Sequence, residues 1–394
     1  MAVSDDVVRQ ILVRVKDVTT LFRCATVCKG WRGLFVADDS FLRRCLPEDN
    51  PIAGFLTQHT HQAGGVHGPC FVPATLPVFG TRCRFICPFL PVPTYRPFCT
   101  TDMAPLASRQ HLLLARIGGQ LAMCDLLAGT LNMLPSLEDY WGSDGYMTGY
   151  AVLTATDDCW SSEDKDRSPS SYKVLIIAIE KDTMQHSLHM FSSATGGSSR
   201  WDMSIGRLGE YRSICSTLTQ GNAVVRRGMA HWLFRDTTGF YTIDVCAKTS
   251  HVSITELPDV RFFEFYIEPY LSVDAEERFN VLLLKMDGSV LCTKIWNHDR
   301  TLTDARIVAL GTPFRQTKEI DGMTYTLLGE KNGMLLIKDN NERVYVVGVE
   351  TRWWLQELTN LSCTRGGVGR ENVVPLELNW PAFFVSRLLG EVTV

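Results

Sequence analysis

Five short apolar runs recur along the chain at a spacing of about 50 to 60 residues, and this period constrains the fold more than any other feature. They are His111–Ala115, Lys173–Ile177, Ala230–Phe234, Asn280–Leu284 and Gly333–Ile337. Each is strand-length, is bounded by turn residues, and reads as the first strand of one copy of a repeat. The second halves of the copies also rhyme. Leu121–Asp125 leads through Gly129-Thr130 to Leu134-Pro135, and Phe240–Asp244 leads to Leu257-Pro258. Val344–Gly348 leads to Trp353-Trp354, and His189–Ser193 leads through Gly196-Gly197 to Trp201.

A unit of a few strands is apolar on both faces and cannot bury them alone, but radial stacking of such units buries both. The period therefore resembles that of a kelch-like β-propeller. Five copies are clear, and the 60–105 segment together with Val373–Leu378 could supply a sixth that closes the ring. From Pro47 to Pro105 the prolines forbid a continuous helix, so this stretch reads as a connection that lends strands to the β region.

The first 45 residues have another texture. Apolar residues recur at helical spacing in three bursts: Val7, Val8, Ile11, Leu12 and Val15; Leu21, Phe22, Ala25, Val27 and Cys28; Trp31, Leu34 and Phe35. Helices of about ten residues are marginal alone, so the three must pack together, with apolar surface left for a partner. Ser4 is placed to cap the first through its hydroxyl, with Asp5 and Asp6 at the positive end.

This segment resembles the F-box, the three-helix module that docks on the Skp-type adaptor of cullin-RING ubiquitin ligases. The resemblance runs from Val3 to Arg44. It rests on Leu21, Arg23, the run Val27-Cys28-Lys29-x-Trp31-Arg32, and Phe41-Leu42-Arg43-Arg44. The family's opening Leu-Pro is Val3-Ser4 here, and the Pro after the first helix is Lys16. The layout as a whole is similar to the grass-type plant F-box proteins with a β-rich associated domain. Gly228–Leu233 and Trp380–Phe384 carry that likeness. The expected fold class is α+β multidomain. A three-helix unit (1–46) and a Pro/Gly-rich connection (47–104) precede an all-β propeller-like domain of five to six blades (105–394), with a loop insertion at 157–171.

Composition narrows the partners. Apolar content of 45% is enough for a sizeable core, and the net charge of −4 comes without a long basic run. Nucleic acid and anionic membrane are therefore not expected partners. No apolar run is long enough for a transmembrane helix, and no secretory h-region opens the sequence, so the expected location is cytoplasm or nucleus. The 13 cysteines are scattered. Cys83 and Cys87, with His59, His61 and His67 upstream, allow a zinc site but lack the Cys-x-x-Cys spacing and a second pair. Buried thiols in a reducing compartment are the plainer reading, and no metal or cofactor is expected.

No phosphate-binding loop and no Gly-x-Ser-x-Gly elbow is present. His186 and His189 are three apart in a strand and so face opposite ways. His231 beside Trp232 reads as a core histidine, and one of Trp353 and Trp354 is a candidate exposed contact. The Ser-rich acidic stretch 157–171 reads as a solvated loop, with a modifiable tract as the alternative.

The expectation is a non-catalytic substrate receptor of an SCF-type ubiquitin ligase. The resemblance implies adaptor contacts at Val8, Ile11, Leu12, Leu21, Val27, Cys28 and Trp31, with Lys29 and Arg32 on the rim and cullin reached through the adaptor. Replacing Leu12 and Trp31 together is expected to abolish docking and spare the β region. The target protein and its contact residues are not readable. The alternatives are an F-box-like module acting outside a ligase and, from another class, a propeller enzyme or lectin.

Overall fold

The computed structural model describes residues 4–15, 18–45, 52–59, 68–73, 84–85, 103–137, 146–157, 171–181, 183, 185–193, 200–207, 217–235, 239–257, 269–273, 279–287, 290–297, 306–309, 325–331, 334–339, 343–348, 355–357, 373–378, 385–386 and 388. A small helical N-terminus precedes a β region in a propeller-like arrangement.

The N-terminus holds four helices rather than three: α1 (Asp5–Leu12), α2 (Val18–Val27), α3 (Lys29–Ala37) and α4 (Asp39–Cys45). Val8 and Leu12, four apart, bury one side of α1. Ser4 has the extended backbone of an N-cap, but its hydroxyl makes no capping bond. Its carbonyl instead accepts from the amides of Val7 and Val8 at 3.0 and 3.1 Å. Cys28 separates α2 from α3: its backbone is extended, and its Sγ accepts the Trp31 amide at 3.4 Å. Cys24 and Cys28 thus do not share one helix. The fourth helix starts from Asp38, whose carboxylate accepts from the Phe41 amide at 3.0 Å and the Ser40 hydroxyl at 2.6 Å.

The described strands form six antiparallel sheets. The first joins β1 (Ile52–His59), β2 (Gly68–Pro73) and β3 (Arg84–Phe85). The second holds β4 (Met103–Arg109), β5 (Leu112–Ile117), β6 (Gln120–Asp125) and β7 (Thr130–Met133). The third holds β8 (Tyr146–Thr154), β9 (Tyr172–Glu180), β10 (Gln185–Ser192) and β11 (Asp202–Arg207). In the fourth, β12 (Thr217–Leu218) and β13 (Val224–Arg226) pair along β14 (Met229–Arg235), followed by β15 (Phe240–Cys246) and β16 (Val252–Glu256). The fifth comprises β17 (Tyr270–Val273), β18 (Phe279–Asp287), β19 (Val290–Asn297) and β20 (Arg306–Ala309). The sixth comprises β21 (Tyr325–Lys331), β22 (Met334–Asp339), β23 (Val344–Gly348) and β24 (Leu355–Glu357). The last strand, β25 (Val373–Leu378), returns to the first sheet and pairs with β1, setting Val374 opposite Leu56.

The apolar runs read as first strands are the second strands of their sheets, β5, β9, β14, β18 and β22. Each is preceded by a less conspicuous strand that lies at the sheet's end. The 47–104 stretch contributes strands from Ile52 onward, and Met103–Arg109 belongs to the second sheet.

The strands β9 and β14 show how the stacking works. Tyr172–Ile179 is buried without interruption, which suits a strand covered on both faces. Val174 and Ile176 pack with Leu112, Leu114 and Met123 of the second sheet. Leu175, Ile177 and Ile179 point the other way, onto Trp232, Phe234 and Ile243 of the fourth. Leu233, on the opposite face of β14 from Trp232, joins Leu271, Phe279 and Val281 of the fifth sheet. Fully burying each such side chain contributes about 1.5–3 kcal/mol. At Gly149 on β8 an added Cβ would lie 2.4 Å from Trp232 Nε1, so the indole occupies the space that a side chain would need.

Polar ties join the same neighbours. Asp157, after β8, is buried and takes the Arg109 guanidinium of β4 together with the Thr154 amide (2.8 Å) and hydroxyl (2.9 Å). Ser171 is buried as well. Both ends of the expected 157–171 loop are therefore anchored, and 158–170 lies outside the described residues. The same holds for Cys83, Cys87, His61, His67, Trp353, Trp354 and 380–384. Among the described residues, no helix is long and apolar enough to cross a membrane.

Candidate protein-interaction site

The sequence-predicted contact residues divide by burial. Val8, Leu12 and Leu21 are buried. They belong to one apolar cluster with Phe35, Phe41 and Leu42 of α3 and α4. That cluster continues through Leu56 of β1, Leu113 and Cys124 of the second sheet, Val374 and Leu376 of β25, and Leu388. Trp31 is half-buried and packs against it. Ile11, Val27 and Cys28 face solvent, with Ile11 55% and Val27 69% exposed, and Val7 joins them at 46%. Helical spacing puts Val7, Val8, Ile11 and Leu12 in one stripe, but the structure divides them, with Val8 and Leu12 buried and Val7 and Ile11 exposed. Which of the two sides is covered depends on the neighbouring elements, which lie far away in sequence.

Two consequences follow from the shared cluster. Leu12 and Leu21 offer no surface to a partner in this conformation. A Leu12–Trp31 double substitution also strikes a core that the β sheets share, so it does not isolate the helices as expected.

Charged groups gather around Phe41 and the start of α4. Arg9 of α1 donates to Asp38 at 2.8 Å, tying α1 to the start of α4. The Ser40 hydroxyl, then the Phe41 amide, hold the Asp38 carboxyl below its usual value. The guanidinium groups of Arg9 and Arg44 lie 5.6 and 5.9 Å from the Phe41 ring centre. Lys29 is exposed and Arg32 half-buried beside Trp31. Val7, Ile11 and Val27 are exposed aliphatic side chains on α1 and α2. Exposed aliphatic side chains on short helices are of the kind that helix packing covers.

An acid–base arrangement does exist in the sheets. His231 Nδ1 lies 2.7 Å from Asp244 Oδ1, and the Thr255 hydroxyl donates to Asp244 Oδ2 at 2.6 Å. His231 and Asp244 are buried, and the imidazole meets the Phe279 ring edge-on at 4.4 Å. The pair satisfies its own hydrogen bonds inside the stack, as a core histidine does. His186 and His189 are buried on opposite faces of β10, and burial lowers both pKa values, so both are neutral near pH 7. Among the described residues no three metal-ligating side chains converge.

The Asp38 cap and the Cys28 cap escaped the sequence reading. Asp38-Asp39-Ser40 ahead of Phe41-Leu42 carries an N-cap signal that could have found the fourth helix. A thiol in a capping position has no comparable signal. Compared with known proteins, the chain matches no family model and no curated protein.

Proposed function

We propose that this chain is the substrate-recognition subunit of an SCF-type cullin-RING ubiquitin ligase, with the N-terminal helices docking a Skp-type adaptor and the sheets holding a target protein. The observation that carries the reading is the exposed aliphatic set Val7, Ile11 and Val27 on short helices that bear the Val-Cys-Lys-x-Trp-Arg run. Aliphatic side chains at these exposures are what a helix-packing partner would cover.

The β region is read as a six-bladed propeller. In support, the end strands follow one another round a circuit: β25 neighbours β4, β4 neighbours β8, β8 neighbours β12 and β13, β13 neighbours β17, β17 neighbours β21, and β21 neighbours β25. Such rings present loops at each end, a common setting for protein recognition. The mechanism would be proximity: the ring holds a target near the ubiquitin-charged enzyme, and raised effective concentration replaces any chemistry by this chain.

The test is capture of the full chain by a purified Skp-type adaptor. Wild-type chain should bind, and Ile11→Lys with Val27→Lys should lower capture at least about tenfold, a loss of about 1.4 kcal/mol, with an unchanged melting profile. A folded wild-type chain that fails to bind would overturn the ligase reading and favour an interaction module working outside a ligase.

A further inference from the structure

The outer strand of the third sheet carries an exposed apolar pair. On β11, Met203 and Ile205 are each 56% exposed, and Asp202, Ser204 and Arg207 are exposed as well. Met203 and Ile205 stand two apart, opposite His189 and Ser187 of β10, and so share one face. Among the described residues β11 ends its sheet, with β10 on one side and no strand on the other. A flat apolar edge of this kind is a template for pairing with another strand.

We propose that β11 pairs antiparallel with β11 of a second copy, making a two-fold dimer with a continuous sheet across the interface. The occupant is chosen by self-complementarity. A two-fold axis normal to the sheet at Ser204 sets Ser204 opposite Ser204 of the second copy. Met203 then lies opposite Ile205, twice over, and each apolar pair covers itself. The charge order is compatible: Asp202 opens the strand and Arg207 ends it, so an antiparallel copy sets Asp202 opposite Gly206, one position from Arg207 and on the other face of the sheet. A parallel copy would set like charge against like. Ser187 and His189 lie beside this pair on the same face, one strand inward, with their side chains bonded to each other at 3.3 Å. The inference is independent of adaptor docking.

The full chain is analysed by light scattering and sedimentation over a range of concentrations. The apparent mass should double as concentration rises. Ile205→Lys should remain monomeric throughout with the wild-type melting profile, because the side chain it replaces is exposed. Under mild oxidation Ser204→Cys should give a covalent dimer absent from wild type, whereas Met133→Cys, exposed on the second sheet, should not. A wild-type chain that stays monomeric overturns the proposal, including the case in which an extended segment of another protein is the natural occupant. A dimer that survives Ile205→Lys overturns it too, as does cross-linking by Met133→Cys and not by Ser204→Cys.

Discussion

The sheets and the helices bury their apolar residues in different ways. A middle strand such as β9 is covered on both faces, and its neighbours repeat the arrangement. The helix α1 is covered on one side only: Val8 and Leu12 join the core while Val7 and Ile11 meet water. Stability in the sheets comes from repetition, each sheet filling the space between two others. The helices depend on a single patch of support, and that one-sided support leaves them a surface to offer. A chain with both regions combines a body covered on both faces with an end covered on one.

The sharpest way to break this comparison is in the sheets. Trp232→Ala removes a fully buried indole between the third and fourth sheets and should cost about 3–5 kcal/mol, read as a lower urea midpoint for the whole β region. Leu12→Ala asks whether the helices belong to the same cooperative body. A loss of about 2–5 kcal/mol in a single shared transition is expected, because Leu12 sits in a cluster that reaches β1 and β25. Two separate transitions, with only the lesser one moved, would show that the helices fold by themselves. Gly149→Ala should cost about 1–3 kcal/mol, since the new methyl overlaps the Trp232 indole and the Ile177 side chain.

Acidity probes the third sheet alone. Burial lowers the pKa of His186 and His189 in the folded state, so the unfolded chain takes up protons first. Their contribution is complete above the unfolded value of about 6.5 and is lost as pH falls from there through the folded values. The urea midpoint should decline as pH falls below about 6.5, and the decline should flatten in a His186→Gln, His189→Gln variant.

The smallest effect on stability is expected at thiol level. Burial pushes Cys45 up to about 11 and Cys124 up to about 12. At Cys246 burial raises the value, but the Thr249 hydroxyl and the backbone amides of Lys248 and Thr249 outweigh it and leave the thiol lowered. Alkylation of the native chain should reach Cys246 well before Cys45 and Cys124. Rapid labelling of Cys45 would show the helices opening independently of the sheets.

Much of this architecture was legible in the sequence. The runs His111–Ala115 and Lys173–Ile177 stand out because a strand covered on both faces has no polar positions to break the pattern. Their partners at the sheet ends were not legible. β8 contains Thr148 and Gly149, and β12 with β13 is split by a polar stretch, so neither shows a clean period. The Val373–Leu378 closure was anticipated in outline, but its partner is Ile52–His59, upstream of the segment expected to meet it. At the candidate site the sequence puts Val7, Val8, Ile11 and Leu12 in one stripe, whereas the structure splits them between two sides of α1. Which residues face the core was not readable, because the cluster that takes in Leu12 and Leu21 also draws on Leu56, Leu113 and Val374 from distant segments.

The pairing of β25 with β1 has a consequence for how the chain is made. Roughly 300 residues must be synthesised after β1 before its neighbour exists, a separation that favours slow, late closure. Until then the first sheet presents an open edge, and the helices lack Val374 and Leu376 beneath them. A truncated or stalled chain would therefore carry the helical sequence without its foundation. Completion of the far end becomes a checkpoint on the near one.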